Sequence, residues 1–325
     1  MEDKQKTVMD VTIIIVSWNS EKLIGKCLEA ISKQTIQPDD IIVIDNNSSD
    51  QSASIAEKFD NVVVRRMSTN LGFAGGNNRV LSECSTKWVA LLNPDAFPEE
   101  NWLEALQTAS IDNPDVIAFG SRQLSYEDPS IVDGLGDAYH ISGAVWRDQY
   151  GKKQNPSDMR SKEIFSPCAA AALYDLEAVI QAGMFDEDYF CYLEDMDLGF
   201  RLRLLGHKII FVPDAIVHHV GSASTGGRRS DFSVYHGHRN IVWTFFKNVP
   251  GCLFWMLLPL HLLMNITAIV SYVLRGRSEV ILQSKYDALK GIPDIWAKRK
   301  TIQKNQIATK SDIWKIMSKM LPGTR

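Results

Sequence analysis

The chain has 325 residues, of which 45% are hydrophobic and 23% charged, a composition typical of folded proteins and not of disordered ones. Its five cysteines are odd in number and form no C-x-x-C pair, which argues against a disulfide framework and a zinc site and favours a reducing compartment. The net charge of −4 hides an asymmetry, because residues 275–325 hold 12 Lys or Arg against 4 Asp or Glu. A basic end on an acidic body is expected to meet an anionic surface, either nucleic acid or membrane.

Strands and helices are predicted to alternate through the first hundred residues. Apolar, β-branched runs predict four strands: 11–18, 40–45, 61–67 and 88–93. The segments between them have apolar residues at helical spacing or a Gly-rich helix entry and predict three helices: 20–34, 48–59 and 72–85. A βαβαβαβ series of this kind implies an α/β fold, a mostly parallel sheet with helices on its faces.

The pattern loosens after about residue 115. Residues 121–165 are rich in Gly, Asp, Ser and Pro and predict irregular or antiparallel structure. A regular pattern returns over 167–185 and again over 194–213, where a helix is followed by a strand that Pro213 is expected to end. The N-terminal "MEDKQKTVMD" has no apolar core, so we expect no secretory signal peptide and a cytoplasmic location.

Polar side chains follow each of the first four predicted strands. They are Ser17 and Asn19 after the first strand, Asp45 after the second, Asn70 after the third, and Asn93 and Asp95 after the fourth. Because the carboxyl ends of parallel strands meet at one edge, these side chains predict a pocket there. Pro94 cannot continue its strand, which places Asp95 at that edge. Turn formation alone would explain several of these residues, and the Gly-rich 70–78 is only a weak phosphate-binding signal.

A second group of candidates lies between residues 189 and 219. Glu194, Asp195 and Asp197 start a predicted helix, where acidic side chains commonly face the helix dipole. They follow the aromatic "YFCYL", however, which could form the wall of a partly desolvated site. A carboxylate in such a site can be a general base with a raised pKa. His219 follows a strand, and a histidine with Asp95 is an acceptable ligand set for Mn²⁺ or Mg²⁺.

Residues 252–274 contain no charged side chain and would be about 34 Å long as a helix, enough to cross a bilayer. This favours membrane over nucleic acid as the partner of the basic end. Pro259, His261 and Asn265 interrupt the segment, and basic residues flank both of its sides. A helix in the membrane interface or a re-entrant hairpin fits best, and a buried core helix or a dimer interface is the alternative.

The order of six motifs resembles that of the family 2 glycosyltransferases, specifically their bacterial rhamnosyltransferase-like branch. The motifs are "VTIIIVSWN", "IIVIDNNSSDQS", "NLGFAGGNN", "LLNPDAF", "YLEDMDLGFRLR" and "VHHVGSAS". The resemblance covers about residues 10–245, including "YHGHRN" at 235–240. It implies a GT-A fold and transfer of a sugar from a nucleoside diphosphate with inversion at the anomeric carbon.

The resemblance also implies residue roles. Ser17, Asn19 and Asp45 would border the base and ribose, and Asn70, Gly76 and Asn93 would line the rest of the nucleotide pocket. Asp95 and His219 would bind a divalent cation, Mg²⁺ or Mn²⁺. Asp195 would be the general base, with Glu194 orienting it or the acceptor. The family's usual metal motif is D-x-D, and Asn93 stands in its first position here, which leaves one charged ligand and weaker metal dependence.

The implied domain boundaries are a glycosyltransferase domain over 1–248 and an apolar helix or hairpin with a basic tail over 249–325. The nucleotide-sugar half would cover about 10–120 and the acceptor half 121–248. The donor would be dTDP-L-rhamnose, and the acceptor a lipid-linked saccharide at the cytoplasmic face of the inner membrane, where the chain would be peripheral or monotopic.

Other readings stay open. They are a UDP-hexose or UDP-galactofuranose donor, a non-catalytic nucleotide-sugar-binding scaffold, and a nucleotidyltransferase, which the missing Gly-rich basic signature disfavours. No nucleic acid partner is expected, and a homo-oligomer is left open.

Overall fold

The structure, a computed structural model, describes residues 8–156, 159–221 and 230–320. Most of the polar N-terminus lies outside the described residues, as does the end of the "VHHVGSAS" motif. The first part of the chain forms β1 (Val8–Ser17), α1 (Ile24–Ser32), β2 (Gln37–Asp45), α2 (Ser52–Ala56), β3 (Val62–Arg66), α3 (Gly72–Leu81) and β4 (Trp88–Leu92). The predicted βαβαβαβ order is therefore confirmed.

The predicted helix ends are less accurate than the predicted order. Helix α1 begins at Ile24 and not at Ser20, and the Ser20 side chain does not cap it. The hydroxyl of Ser20 donates instead to the carbonyl of Trp18, and the Ser20 carbonyl accepts the N–H of Ile24. Serine is a common helix-capping residue, but the Ser20 hydroxyl stabilises a turn before the helix instead.

The middle of the chain contains short strands and longer ones. In chain order the elements are β5 (Ala96–Pro98), α4 (Trp102–Asp112), β6 (Val116–Ser125), β7 (Val132–Gly134), β8 (Asp137–Tyr139), β9 (Val145–Arg147), β10 (Lys162–Glu163), β11 (Ala171–Asp175), α5 (Leu176–Gln181), a 3-10 turn (Glu187–Tyr189), α6 (Glu194–Leu204) and β12 (Lys208–His219). The antiparallel character predicted for residues 121–165 is confirmed by the β8–β9 pair and by the pairing of β7 with β6.

The expectation that Pro213 ends its strand is wrong. Strand β12 continues to His219, and its pairing with β6 changes register between Val212 and Ile216. A residue without an N–H can be accommodated inside a strand at such an irregularity, because the ladder is already interrupted there. The irregularity lets one strand carry the chain past Pro213 to the edge where His219 lies.

The main sheet, counted over the described residues, has ten strands. Its main path runs β10-β12-β6-β11-β4-β1-β2-β3, with β5 added to β12 and β7 to β6. Strands β1, β2, β3 and β4 are mutually parallel, whereas β11 runs antiparallel between β4 and β6. Because two antiparallel pairings restore the original direction, β6 and its parallel neighbour β12 point the same way as β4. The carboxyl ends of β1, β2, β3, β4, β6 and β12 therefore share one edge, and the carboxyl end of β11 lies at the opposite edge.

Apolar side chains cover both faces of the sheet. Ile13 and Ile15 of β1 belong to one buried cluster with residues of α1 and α4, and Ile14 belongs to another with residues of α3, α5 and α6. Successive strand side chains point to opposite faces, so a continuous apolar strand is explained by helices on both sides.

The last third of the described chain is helical. Its elements are α7 (Asp231–Asn248), α8 (Gly251–Leu274), α9 (Ser278–Lys290), α10 (Ile292–Lys304) and α11 (Lys310–Ile316). Helices α9 and α10 pack on α7, and a third apolar cluster joins Phe200 of α6 to Phe245 of α7, Phe254 of α8 and Ile313 of α11. The segment after residue 248 is thus packed against the sheet-bearing part of the molecule.

Candidate active site

Two buried polar atoms mark the ends of β1 and β2. Ser17 and Asp45 lie opposite each other in the β1–β2 pairing and are 1% and 4% exposed. The hydroxyl of Ser17 and one carboxylate oxygen of Asp45 make no hydrogen bond within the described part of the chain. Buried polar atoms are almost always paired in native proteins. Both atoms therefore point to a ligand with complementary hydrogen-bonding groups.

The loops after these strands are held by asparagine side chains. Asn19, in a left-handed conformation with φ 50°, accepts the N–H of Ser49 at 2.9 Å, while its own N–H donates to the hydroxyl of Ser48. Asn70 accepts hydrogen bonds from the Asn46 side chain and from the Gly72 N–H, both at 2.9 Å. Asn19 and Asn70, two of the residues predicted to bind the nucleotide, thus fix the loops that follow β1 and β3.

Glycines of the 70–78 segment permit close packing. A Cβ on Gly72, whose φ is 69°, would lie 2.3 Å from the carbonyl oxygen of Phe190. A Cβ on Gly76 would lie 2.8 Å from Val16 on β1. Gly76 therefore brings α3 against the sheet, and its predicted place in the nucleotide pocket stays a prediction.

Asp95 and His219 are brought together by strand pairing. Strand β5 runs antiparallel to β12 with Ala96 opposite His219, and the N–H of Val220 donates to the Asp95 carbonyl at 3.0 Å. Oδ1 of Asp95 lies 3.3 Å from Nε2 of His219. The N–H of Ala96 donates to the Asn93 carbonyl, which closes the turn that presents Asp95. Both predicted metal ligands thus meet at the shared sheet edge.

The geometry of this pair fits a divalent cation. Two neighbouring ligands at about 2.1 Å from one ion are about 3 Å apart, close to the observed Asp95–His219 separation of 3.3 Å. Asp133, which the sequence did not indicate, accepts from Nδ1 of His219 at 2.8 Å. A carboxylate on one ring nitrogen orients the other toward a metal, as is usual for metal-binding histidines. Asp95 and His219 would hold the ion, and Asp133 would orient His219.

The pKa of His219 reflects the negative charge around it. Burial lowers this pKa, but the hydrogen bonds to Asp133 and Asp95 outweigh burial and raise it above the ordinary histidine value. A site that stabilises a proton in this way also attracts a cation, and the two compete for the same nitrogen.

Asp195 occupies the first turn of α6 and is held by backbone donors. Its Oδ2 accepts the N–H of Ala169 at 3.1 Å, and its Oδ1 accepts the N–H of Met196 at 2.7 Å. Burial raises the pKa of Asp195, whereas these two hydrogen bonds and the charge of Arg147 lower it; the net shift is upward. A carboxylate with a raised pKa that still has donors to stabilise its ionised form suits a general base.

Glu194 differs from its neighbour in environment. It is 6% exposed, and its Oε2 makes no hydrogen bond within the described residues. Burial, and then the charge of Asp195, raise the pKa of Glu194 well above the usual glutamate range. Glu194 therefore retains its proton more readily than a solvated glutamate, which separates the two carboxyl groups into different protonation roles.

Arg147 links the two halves of the site. Its guanidinium pairs with Asp133, and its charge lowers the pKa of Asp195. Asp137, Cys168 and Asp195 also offer possible ligand atoms within 4.8 Å of one another. Burial raises the pKa of Cys168, so its thiol keeps the proton that a metal would have to displace, and this second group is less suited to a cation than the Asp95–His219 pair. No sequence motif indicated Arg147, which lies in the irregular middle of the chain.

The segment before Glu194 has an unusual backbone. Phe190, Tyr192 and Leu193 have positive φ values of 64°, 65° and 67°, which cost an ordinary residue about 1–3 kcal/mol each. The fully buried Asn240 side chain donates to the carbonyls of Tyr189, Cys191 and Tyr192 at 3.1, 3.0 and 2.7 Å. Asn240 thus stabilises the strained loop that delivers Glu194 and Asp195.

The model of glycosyl transferase family 2 matches residues 12–181, more than half of the chain. The chain belongs to glycosyl transferase family 2. The match covers the strand edge with Ser17, Asp45 and Asp95, so the family predicted from the motif order is confirmed.

Two curated relatives of this family 2 protein are named as rhamnosyltransferases. An N-acetylglucosaminyl-diphospho-decaprenol L-rhamnosyltransferase of Mycobacterium tuberculosis is 26% identical over 66% of this chain and 77% of its own length. The O-antigen chain rhamnosyltransferase RfbN of Salmonella typhimurium is 26% identical over 65% of this chain and 66% of its own. The resemblance to the rhamnosyltransferase branch is thus confirmed at modest identity.

Solved structures confirm the fold class. The crystal structure of GalNAc-T7 with UDP, GalNAc and Mn²⁺ superposes with a TM-score of 0.59 at 14% identity over 75% of this chain. This chain spans about half of GalNAc-T7, 48% of its length. The family 2 protein therefore has a GT-A-type sheet flanked by helices, followed by C-terminal helices.

Proposed function

We propose that this family 2 protein is an inverting glycosyltransferase that transfers L-rhamnose from dTDP-L-rhamnose to a lipid-linked saccharide during synthesis of a cell-surface polysaccharide. The observation that carries the proposal is the 3.3 Å approach of Asp95 to His219 at the same sheet edge as the unpartnered Ser17 and Asp45. Asp195, held by the backbone of Ala169 just before β11, supplies a separate carboxylate.

The Asp95–His219 pair and Asp195 have different chemical roles. Asp95 and His219 would hold a divalent cation, Mg²⁺ or Mn²⁺, which would supply positive charge opposite the leaving diphosphate. Asp195 takes the proton of the acceptor hydroxyl, whose oxygen forms the new bond to the anomeric carbon. The bond from that carbon to the diphosphate oxygen breaks, and its electron pair leaves with the nucleoside diphosphate. Attack from the opposite face inverts the anomeric carbon.

The nucleoside is assigned to the ends of β1 and β2. Ser17 and Asp45 each have a buried oxygen free to bond the base or the ribose hydroxyls. Asn19 and Asn70 hold the surrounding loops, while Asn93 and Gly76 lie in the turn and helix next to the pocket. Glu194 orients Asp195 or the acceptor.

The relatives support the choice of donor and acceptor. Both are named as rhamnosyltransferases, and the name of the mycobacterial relative specifies a sugar on diphospho-decaprenol, which is a lipid diphosphate. A lipid-linked acceptor places the enzyme at the cytoplasmic face of the membrane, where α8 supplies an apolar helix of 24 residues. A UDP-hexose or UDP-galactofuranose is the alternative donor.

A donor panel tests the proposal. The purified full chain is incubated with dTDP-L-rhamnose, UDP-glucose, UDP-galactofuranose and GDP-mannose, with Mn²⁺ or Mg²⁺ and a lipid extract, and the released nucleoside diphosphate is measured. We expect release that depends on metal and acceptor and is fastest with dTDP-L-rhamnose. Faster release from a UDP-sugar would overturn the donor assignment. Nucleotide-sugar binding without release from any donor would make the chain a non-catalytic scaffold.

A further inference from the structure

Helix α8 is the one helix in the described part of the chain that is long and apolar enough to cross a membrane, with 24 residues and a mean hydropathy of 1.9 over an 18-residue stretch. Its two faces differ. One face is buried against the rest of the molecule through Leu253, Phe254, Leu257, His261 and Asn265. The opposite face is exposed and apolar.

The buried face of α8 contains specific polar contacts. Nδ1 of His261 lies 2.8 Å from the carbonyl oxygen of Ser142, and its ring stacks on Phe245 at 4.0 Å. Oδ1 of Asn265 accepts a hydrogen bond from Lys285 of α9 at 2.6 Å. A polar side chain that faces hydrocarbon without a hydrogen-bond partner is energetically unfavourable, whereas His261 and Asn265 have protein partners on this face. This face of α8 is built to pack on protein.

After α8, the chain packs on the part of the molecule that precedes α8. Near the end of the helix, Tyr272 contacts His238 of α7 at 5.0 Å between ring centroids. In α9, Asp287 accepts from the Tyr235 hydroxyl at 2.7 Å. In α10, Lys298 donates to Asp188 at 2.6 Å.

Residues before and after α8 are thus joined by direct contacts. A bilayer has a hydrocarbon core about 30 Å thick, and a spanning α8 would put the two sides of these contacts on opposite surfaces. The packing of α9 and α10 on α7 is therefore incompatible with a spanning helix.

The exposed side of this helical pair is rich in large apolar side chains, and this set of residues is here named the α8–α9 face. On α8 it contains Trp255, Met256, Leu262, Leu263, Ile266, Val270, Val273 and Leu274, and on α9 it contains Leu282, Tyr286 and Leu289. Leu274 is 81% exposed and Trp255 67%. Soluble monomers rarely expose apolar patches of this extent without a partner.

Charge around the α8–α9 face indicates which partner it fits. Arg275 follows α8 directly, Lys290 ends α9, and both are exposed. Apolar side chains bordered by cations are typical of helices that lie in an anionic membrane interface, where tryptophan and tyrosine are also favoured.

We infer that α8 and α9 lie side by side in one leaflet of an anionic membrane, with the α8–α9 face at the boundary of headgroups and acyl chains, and that α8 does not cross the bilayer. The attachment is monotopic and leaves the active site and the C-terminal helices on the same side. This inference rests on the proposed function only for assigning that side to the cytoplasm.

Cysteine accessibility tests the topology. In a Cys252→Ser background, Lys58→Cys places a thiol on the exposed surface before α8, and Lys300→Cys places one on the exposed surface after it. Spheroplasts of a bacterial host that expresses the full chain are treated with a membrane-impermeant maleimide before or after lysis. We expect both thiols to react only after lysis. Reaction of Lys300→Cys in intact spheroplasts, with Lys58→Cys protected, would show a spanning helix and overturn the inference.

Vesicle binding tests the face itself. The full chain is sedimented with vesicles of phosphatidylglycerol and phosphatidylethanolamine, or of phosphatidylcholine alone. The double variant Leu263→Asp/Ile266→Asp should bind the anionic vesicles at least about tenfold more weakly, because two apolar side chains no longer enter the membrane. The matched control Ile307→Asp changes a residue that is 70% exposed outside the α8–α9 face and should bind normally. Equal binding by all three proteins would overturn the inference.

A second copy of the chain is the competing occupant of this face. If sedimentation velocity without lipid shows a dimer that Leu263→Asp/Ile266→Asp converts to a monomer, while vesicle binding is unchanged, the face is a dimer interface and the inference fails. Sugar transfer to a short water-soluble acceptor distinguishes failure of this inference from failure of the proposed function. If the proposed function holds, Leu263→Asp/Ile266→Asp should still transfer the sugar to this acceptor. If the proposed function is wrong, neither the unmodified chain nor the variants will transfer the sugar, but the results of vesicle binding will be unaffected.

Discussion

The two halves of the sheet edge are built by different means. On the side proposed to bind the nucleotide, here called the nucleotide side, Ser17 and Asp45 come from long parallel strands that α1 and α3 cover. On the side proposed to bind the acceptor, here called the acceptor side, Asp133 and Arg147 come from three-residue strands, and Asp195 follows a loop with positive φ values. Regular backbone positions the first group, and hydrogen bonds between side chains and backbone position the second. The second half should therefore lose function, and not only stability, when one of these bonds is removed.

Among the hydrogen bonds that position the acceptor side, the largest effect is expected from the loss of the Asp133–His219 contact in Asp133→Asn. Without the carboxylate, His219 loses the partner that orients Nε2 toward Asp95, and we expect metal affinity to fall about 10–100-fold. A Mn²⁺ titration of nucleoside diphosphate release measures this change. Asp148→Asn is the matched control, because Asp148 pairs with Lys162 and not with His219. Equal metal affinity of Asp133→Asn and the wild type would remove Asp133 from the metal site.

Asn240→Ala should lower kcat about tenfold, because the strained loop that delivers Asp195 loses the donor for three of its carbonyls. The Kd for the nucleotide sugar should change little, since Ser17 and Asp45 are untouched. Asn248→Ala is the control, because Asn248 lies on the same helix and donates to Asp197. Both variants should lose about 1–3 kcal/mol of stability. An equal loss of kcat in the two variants would show that Asn240 acts through stability alone.

Arg147→Met should shift the acid limb of the pH profile of kcat/KM to higher pH. The Arg147 charge lowers the pKa of Asp195, so removing it raises that pKa. Because a general base must be ionised to accept a proton, activity is then lost at a higher pH as the solution is acidified. Lys162→Met removes a cation that pairs with Asp148 and should leave the profile in place. An unchanged acid limb in Arg147→Met would separate Arg147 from the base.

The smallest effect tests the nucleotide side. Gly76→Ala puts a methyl group 2.8 Å from Val16 and should destabilise the fold by about 1–3 kcal/mol through overpacking of α3 on β1. Thermal unfolding measures the change. An unaltered Tm would mean that α3 moves away from the sheet at no cost and that regular packing does not hold this half.

The contrast between regular strands and irregular segments also explains which features could be predicted from the sequence. The alternation of strands and helices and the placement of Asp45 and Asp95 at the carboxyl edge of the sheet were predictable, because apolar runs and parallel pairing fix which residues reach that edge. The continuation of β12 past Pro213 was not, because it depends on a change of register with β6. The contact of Asp133 with His219 and those of Asn240 with the loop before α6 could not be predicted either. Short strands and a strained loop produce no periodic pattern of apolar residues in the sequence.

Asp195→Asn tests the central claim most directly, because it removes the base and keeps the shape of the side chain. Release of nucleoside diphosphate from dTDP-L-rhamnose in the presence of Mn²⁺ and acceptor is measured beside the Kd for the same donor. We expect release to fall by about 10²–10⁴-fold while the Kd stays within a factor of two or so of the wild type. Transfer at the wild-type rate by Asp195→Asn would contradict the account.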